Sequence, residues 1–127
     1  MAVNYKPVAK KNPQKLTEPP KYYVQLVNSG ELSLRQLAKQ IALRNNMSTS
    51  DTLAVLESFS EVVPQVLADG KIVRLGDFGA FSFQVSSEGS ETEMQVTEEN
   101  IRKISVKFRP GKEFTQVIDT ISLNRID

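Results

Sequence analysis

From Leu34 the apolar positions fall at Leu34, Leu37, Ala38, Ile41 and Ala42, the i, i+3, i+4, i+7, i+8 spacing of one buried helix face. Ser33 and Gln36 stand at capping-box positions ahead of this run, and the pattern predicts a helix that ends near Asn45 or Asn46. Ser48 with Asp51 repeats the N-terminal signal. The second helix carries Leu53, Leu56, Phe59, Val63, Val66 and Leu67 on its apolar face and closes at Gly70. Pro64 lies inside it, where the missing N–H predicts a bend near Ser60. The two helices form a hairpin.

Beyond Gly70 the period changes from 3.6 to 2. Lys71 to Leu75 alternates as a strand and leads through Gly76, Asp77, Phe78 and Gly79 into Ala80 to Val85, where Phe81, Phe83 and Val85 share one face. After a polar stretch, Ile104, Val106 and Phe108 alternate as a third strand. Pro110 and Gly111 then turn the chain into a short helix carrying Phe114, Val117, Ile118 and Ile121. Before all of this, Pro7, Pro13, Pro19 and Pro20 interrupt any helix, while Tyr5, Val8, Tyr22, Tyr23, Val24 and Leu26 suit strands. The first thirty residues therefore read as two short extended pieces joined by a proline loop. The same prolines and lysines also fit a disordered basic tail.

The order of elements and two local motifs resemble the HU/IHF superfamily of bacterial histone-like DNA-binding proteins. Leu75-Gly76-Asp77-Phe78-Gly79-Ala80-Phe81 is similar to the family's G-x-F-G-x-F turn between its first two strands. Phe108-Arg109-Pro110-Gly111-Lys112-Glu113-Phe114 is similar to its F-x-x-G-K-x-L entry into the last helix. The likeness covers Glu31 to Thr120. Tyr5, Asn12, Pro13, Lys21, Tyr22 and Tyr23, with Ser86-Ser87-Glu88-Gly89, further resemble the N-terminally extended branch seen in Bacteroidetes. The fold implied is α+β and HU/IHF-like. It has an N-terminal helical hairpin, a three-stranded antiparallel sheet with a long β-arm, a C-terminal helix and an extra N-terminal strand segment. Residues 1–30 are expected to pack as an extension on a domain formed by residues 31–127.

That resemblance also implies a homodimer whose two arms reach around double-stranded DNA. The energetics of burial point to the same partner surface. The sheet of a single chain leaves Phe78, Phe81, Phe83 and Phe108 partly exposed, and burying each ring is worth about 1.5 to 3 kcal/mol.

Charge changes the picture of the arm. The net charge is only +1, but it is unevenly spread. Residues 1–30 hold Lys6, Lys10, Lys11, Lys15 and Lys21 against Glu18 alone, and residues 101–112 hold Arg102, Lys103, Lys107, Arg109 and Lys112 with no acid. Between the basic segments, Glu88, Glu91, Glu93, Glu98 and Glu99 make residues 86–100 acidic. The family's R-N-P-x-T-G arm tip, whose proline wedges between base steps, has no equivalent in Gly89 to Gln95. Wedge-type bending is therefore expected to be weak or absent. The candidate DNA contacts are Arg102, Lys103, Lys107, Arg109 and Lys112, with Lys10 and Lys11 of the extension. Lys112 matches the family's G-K position, whereas Thr115 stands where HU often has another lysine.

Absence of cysteine and histidine excludes disulfides and thiolate zinc sites and removes the commonest general base. With no Gly-rich phosphate loop either, an enzyme is not expected, and neither is a cofactor, a metal or a small-molecule substrate. Glu88, Glu91 and Glu93 read as hydrated surface acids. No apolar run is long enough to cross a bilayer, so a cytoplasmic, nucleoid-associated protein is expected. The function expected is a sequence-tolerant, architectural DNA-binding dimer. The alternative is an HU-like scaffold that has lost DNA binding and serves as a protein-interaction module through its acidic arm.

Overall fold

The computed structural model describes residues 1–126 and contains three helices and two three-stranded sheets among them. Contacts divide the chain into two compact units. One comprises Met1–Ser33 together with the chain from Val117 onward, and the other comprises Leu34–Gln116.

In the larger unit, helix α1 (Leu34–Asn45) packs against helix α2 (Thr49–Ala68), with Ala38, Ala42, Thr52 and Leu67 buried. Both helices end where local chemistry ends them. Asn46 takes a left-handed φ of 55°, and the N–H of Met47 donates back to the carbonyl of Ala42 at 3.0 Å. The Ser48 hydroxyl accepts from the N–H of Asp51 at 3.1 Å and caps α2. At its far end Gly70, at φ 84°, donates to Leu67 while Lys71 donates to Val66, the paired closure that a glycine in this position allows. Of the expected apolar face of α2, Leu53, Leu56, Val63 and Val66 are half-buried, and Phe59 is exposed.

Strand β3 is shorter than the alternation predicts, only Val73–Arg74. Lys71 is drawn into the helix closure, and the N–H of Leu75 donates to the Gly79 carbonyl at 2.8 Å across a 3-10 turn at Gly76–Phe78. Strands β4 (Gly79–Ser87) and β5 (Ile101–Pro110) complete an antiparallel sheet of order β3-β4-β5. The register pairs Phe81 with Phe108, Phe83 with Val106 and Val85 with Ile104, so one face of the ribbon is apolar along its length. Helix α3 begins at Lys112 and runs to Ile118. Its Phe114 meets Phe78 at 5.0 Å and Phe108 at 5.5 Å between ring centroids. Phe108 also stacks obliquely on Phe81 at 4.7 Å, so four rings form the aromatic centre of this unit.

In the smaller unit, the two extended pieces expected from the sequence are strands β1 (Ala2–Lys10) and β2 (Lys21–Val27), paired antiparallel from Asn4–Val27 to Lys10–Lys21. They do not join the β3-β4-β5 sheet. Their third strand is β6 (Ser122–Arg125), which runs parallel to β1. Ile121, expected on the last helix, lies beyond it. The Thr120 hydroxyl and N–H both turn to the Val117 carbonyl, at 2.8 and 3.0 Å, and close α3.

Candidate nucleic-acid interface

Alternation along β5 places Lys103, Ser105, Lys107 and Arg109 on the face opposite Ile104, Val106 and Phe108. The register extends this row across the sheet. Ala80 of β4 pairs with both Arg109 of β5 and Arg74 of β3, which sets the two arginines about 10 Å apart, two strand spacings, with only a methyl group between them. Ser82 pairs with Lys107 and Ser86 with Lys103. The β4 residues on this face are Ala80, Ser82, Gln84 and Ser86, and no carboxylate of the three strands shares it. A shallow hollow of about 120 Å³ is lined by Ile72, Arg74, Ala80, Ser82, Lys107 and Arg109. Lys103, Lys107 and Arg109 are all exposed, so their charges are free to meet an anion in solvent.

Arg74 joins the row without a signal in the sequence. A two-residue strand carries little periodic signal, and its face follows from the pairing of Arg74 with Ala80, which local sequence does not encode.

Arg102 stands apart from the other candidates. The register slips between Ser86 and Ser87, whose partners are Lys103 and Ile101, so Arg102 is the extra residue of a bulge. Its guanidinium donates from Nε to Oε1 of Glu88 at 3.1 Å, with Nη2 3.0 Å from the same oxygen. Arg102 is thus engaged with the acidic arm. Lys112 opens α3 directly after Gly111, and its side chain is exposed. Gly111 is required there, because a Cβ would overlap the Asp77 carbonyl oxygen. Lys10 and Lys11 lie at the end of β1 in the smaller unit.

Residues 88–100 between the two arm strands are closed at their base. The Glu88 N–H donates to the Asn100 carbonyl at 2.8 Å, and the Asn100 amide donates to the Glu88 carbonyl at 3.1 Å and to the Ser90 hydroxyl at 2.9 Å. Beyond this clip the chain forms short 3-10 turns at Glu93–Gln95 and Glu98–Asn100. Met94 is 95% exposed among the glutamates.

Among the described residues no helix is long and apolar enough to cross a membrane. No curated protein matches the chain. The crystal structure of a proposed bacterial DNA-binding protein from Bacteroides vulgatus superposes with a TM-score of 0.67 at 14% identity, over 98% of this chain and 48% of that one. The chain spans about half the length of that protein, and at this identity the likeness is one of fold. A family model described as an HU domain fused to a winged helix-turn-helix, Ig or glycine-rich motif matches residues 1–125, which takes in β1, β2 and β6 along with the helical hairpin and the arm. The chain belongs to this family, HU-HIG.

Proposed function

We propose that this chain is an architectural DNA-binding domain that acts as a homodimer and holds the duplex by its phosphates. The observation that carries the reading is the row of Arg74, Lys103, Lys107 and Arg109 on one face of the β3-β4-β5 sheet, among short or neutral side chains and free of carboxylates. Cations on a surface of small side chains reach a phosphate backbone without steric hindrance, and contacts to phosphate carry no base sequence. Lys112 adds a further charge at the start of α3. The description of the Bacteroides vulgatus protein supports the same ligand.

The arm does not supply a proline wedge, and its carboxylates repel phosphate, so the duplex is held with little kinking. The row offers exposed positive charge, and the domain acts by binding and not by catalysis. Its place is the nucleoid.

The test is affinity for a short duplex across a salt series. Replacing Lys107 and Arg109 together by glutamine should flatten the slope of log affinity against log salt by about 2, one per lost phosphate contact, with sequence preference unchanged. An end-to-end fluorescence transfer assay on the same duplex should report little bending. Strong bending would refute the argument from the arm.

One observation favours a second reading. The acidic tip with its exposed Met94 offers an apolar side chain ringed by charge, which fits docking to a basic protein. Absence of any duplex binding at low salt would select it.

A further inference from the structure

The smaller unit carries a second cationic surface. Lys10 and Lys21 face one another as the last pair of the β1-β2 ladder, with Val8 and Tyr23 next on the same face and Lys6 and Gln25 beyond them. Like charges set directly opposite destabilise a ladder, and no carboxylate of β1 or β2 offsets this pair. The single acid of the loop, Glu18, is drawn to Lys15 at 3.6 Å. Lys10 lies over the ring of Tyr23, with its Nζ 5.8 Å from the centroid, so the aromatic face holds the ammonium in place.

The loop between the strands is a chain of turns. The Lys15 N–H donates to the Asn12 carbonyl at 3.0 Å, the Gln14 N–H to the Asn12 side-chain oxygen at 3.0 Å, and the Glu18 N–H to the Lys15 carbonyl at 3.1 Å. Pro13 and Pro19 stiffen it further. Together the loop and strand ends enclose an open groove of about 560 Å³, whose lining includes Lys10, Lys11, Lys21, Tyr23, Pro13 and Pro19. An ordered groove lined by three ammonium groups, with its one carboxylate already drawn to a lysine, is built to take a polyanion.

We propose that the tip of the N-terminal hairpin is a second duplex-DNA contact, in which Lys10, Lys11 and Lys21 bind backbone phosphates and Tyr23 acts as a positioning residue for Lys10. The proposal rests on the preceding section only for the identity of the ligand. Its residues lie outside the Arg74 row, so the two fail separately.

The experiment uses the whole chain and a short duplex. In the parent protein, amide resonances of Lys10, Lys11 and Tyr23 should shift as duplex is added. The triple variant Lys10→Gln, Lys11→Gln, Lys21→Gln should lower the salt slope by about 3, whether or not Lys107 and Arg109 are also replaced. Tyr23→Leu should lower it by about 1, and Tyr23→Phe, which keeps the ring face, should restore the parental slope. A parental slope in the triple variant, or hairpin amides that do not move, overturns the contact. A parental slope in Tyr23→Leu overturns the positioning role. If the triple variant instead changes only self-association, the lysines meet the acidic arm of another copy and the DNA assignment is wrong.

Discussion

At Gly79 the backbone adopts a φ of 142°, and a Cβ built there would overlap the Arg109 carbonyl oxygen and lie 2.9 Å from the ring of Phe108. Both the conformation and the space demand glycine. Gly79→Ala should therefore cost about 2 kcal/mol or more in urea unfolding. Gly76, at φ 57° with nothing within 4 Å of its Cβ position, provides the internal comparison, and Gly76→Ala should cost only about 1 kcal/mol. Equal losses at the two sites would show that crowding against Phe108 is unimportant. Phe108 itself touches the rings of Phe78, Phe81 and Phe114. Its replacement by alanine should lower stability by about 3 kcal/mol, at the low end for a phenylalanine because the ring is only half-buried in one chain. An unchanged melting temperature would remove the cluster from the folding argument. These positions were legible in the sequence because the glycine–phenylalanine turn is a local signal.

Elements were legible to the degree that their determinants are local. The signals at Ser48 and Gly70 bound α2 within two residues, because capping is chemistry between neighbours. Strand β6 was missed because it has four residues and its partner β1 lies at the other end of the sequence. Alternation over Ser122–Arg125 is too brief to outweigh the helical spacing of Phe114, Val117, Ile118 and Ile121. The candidate site divides in the same way. The stripe of Lys103, Lys107 and Arg109 follows from alternation along one strand. Arg74 joins it only through the register between β3 and β4, and the bulge that sets Arg102 against Glu88 leaves no sequence signature. Because β6 closes one edge of β1, through bonds that include Ser122 to the Met1 carbonyl and Ile126 to the Tyr5 carbonyl, removing residues 122–127 should speed amide exchange in β1 on the side facing β6. Unchanged exchange there would mean that the hairpin is held without its third strand.

At the scale of the whole molecule, a chain of this length is large enough to bury most of its apolar side chains, yet the buried hydrophobic residues are only Ala38, Ala42 and Leu67 among those described. Exposed apolar side chains occur in every part of the chain, and on the arm Phe83 is 43%, Val85 57%, Ile104 58% and Val106 58% exposed. These four are cross-strand pairs on one face and continue the ladder beyond Phe81 and Phe108, so they form one apolar strip. About half of each side chain is still to be covered, worth about 0.7 to 1.5 kcal/mol apiece, which over the strip is a sizeable sum beside the ~5 to 15 kcal/mol that stabilises a typical domain. A second copy presents the same strip, and symmetric pairing is the commonest way to bury such a surface. Light scattering at micromolar concentration should therefore give the mass of two chains, and the melting temperature should rise with protein concentration, since association stabilises the folded state by mass action. Val106→Glu sets a carboxylate opposite Phe83 in the strip without touching the cationic face. It should shift the mass toward one chain and abolish the concentration dependence. A parent protein that stays monomeric, with a melting temperature independent of concentration, would show that one copy is stable with this strip in water, and the dimer would have to be abandoned.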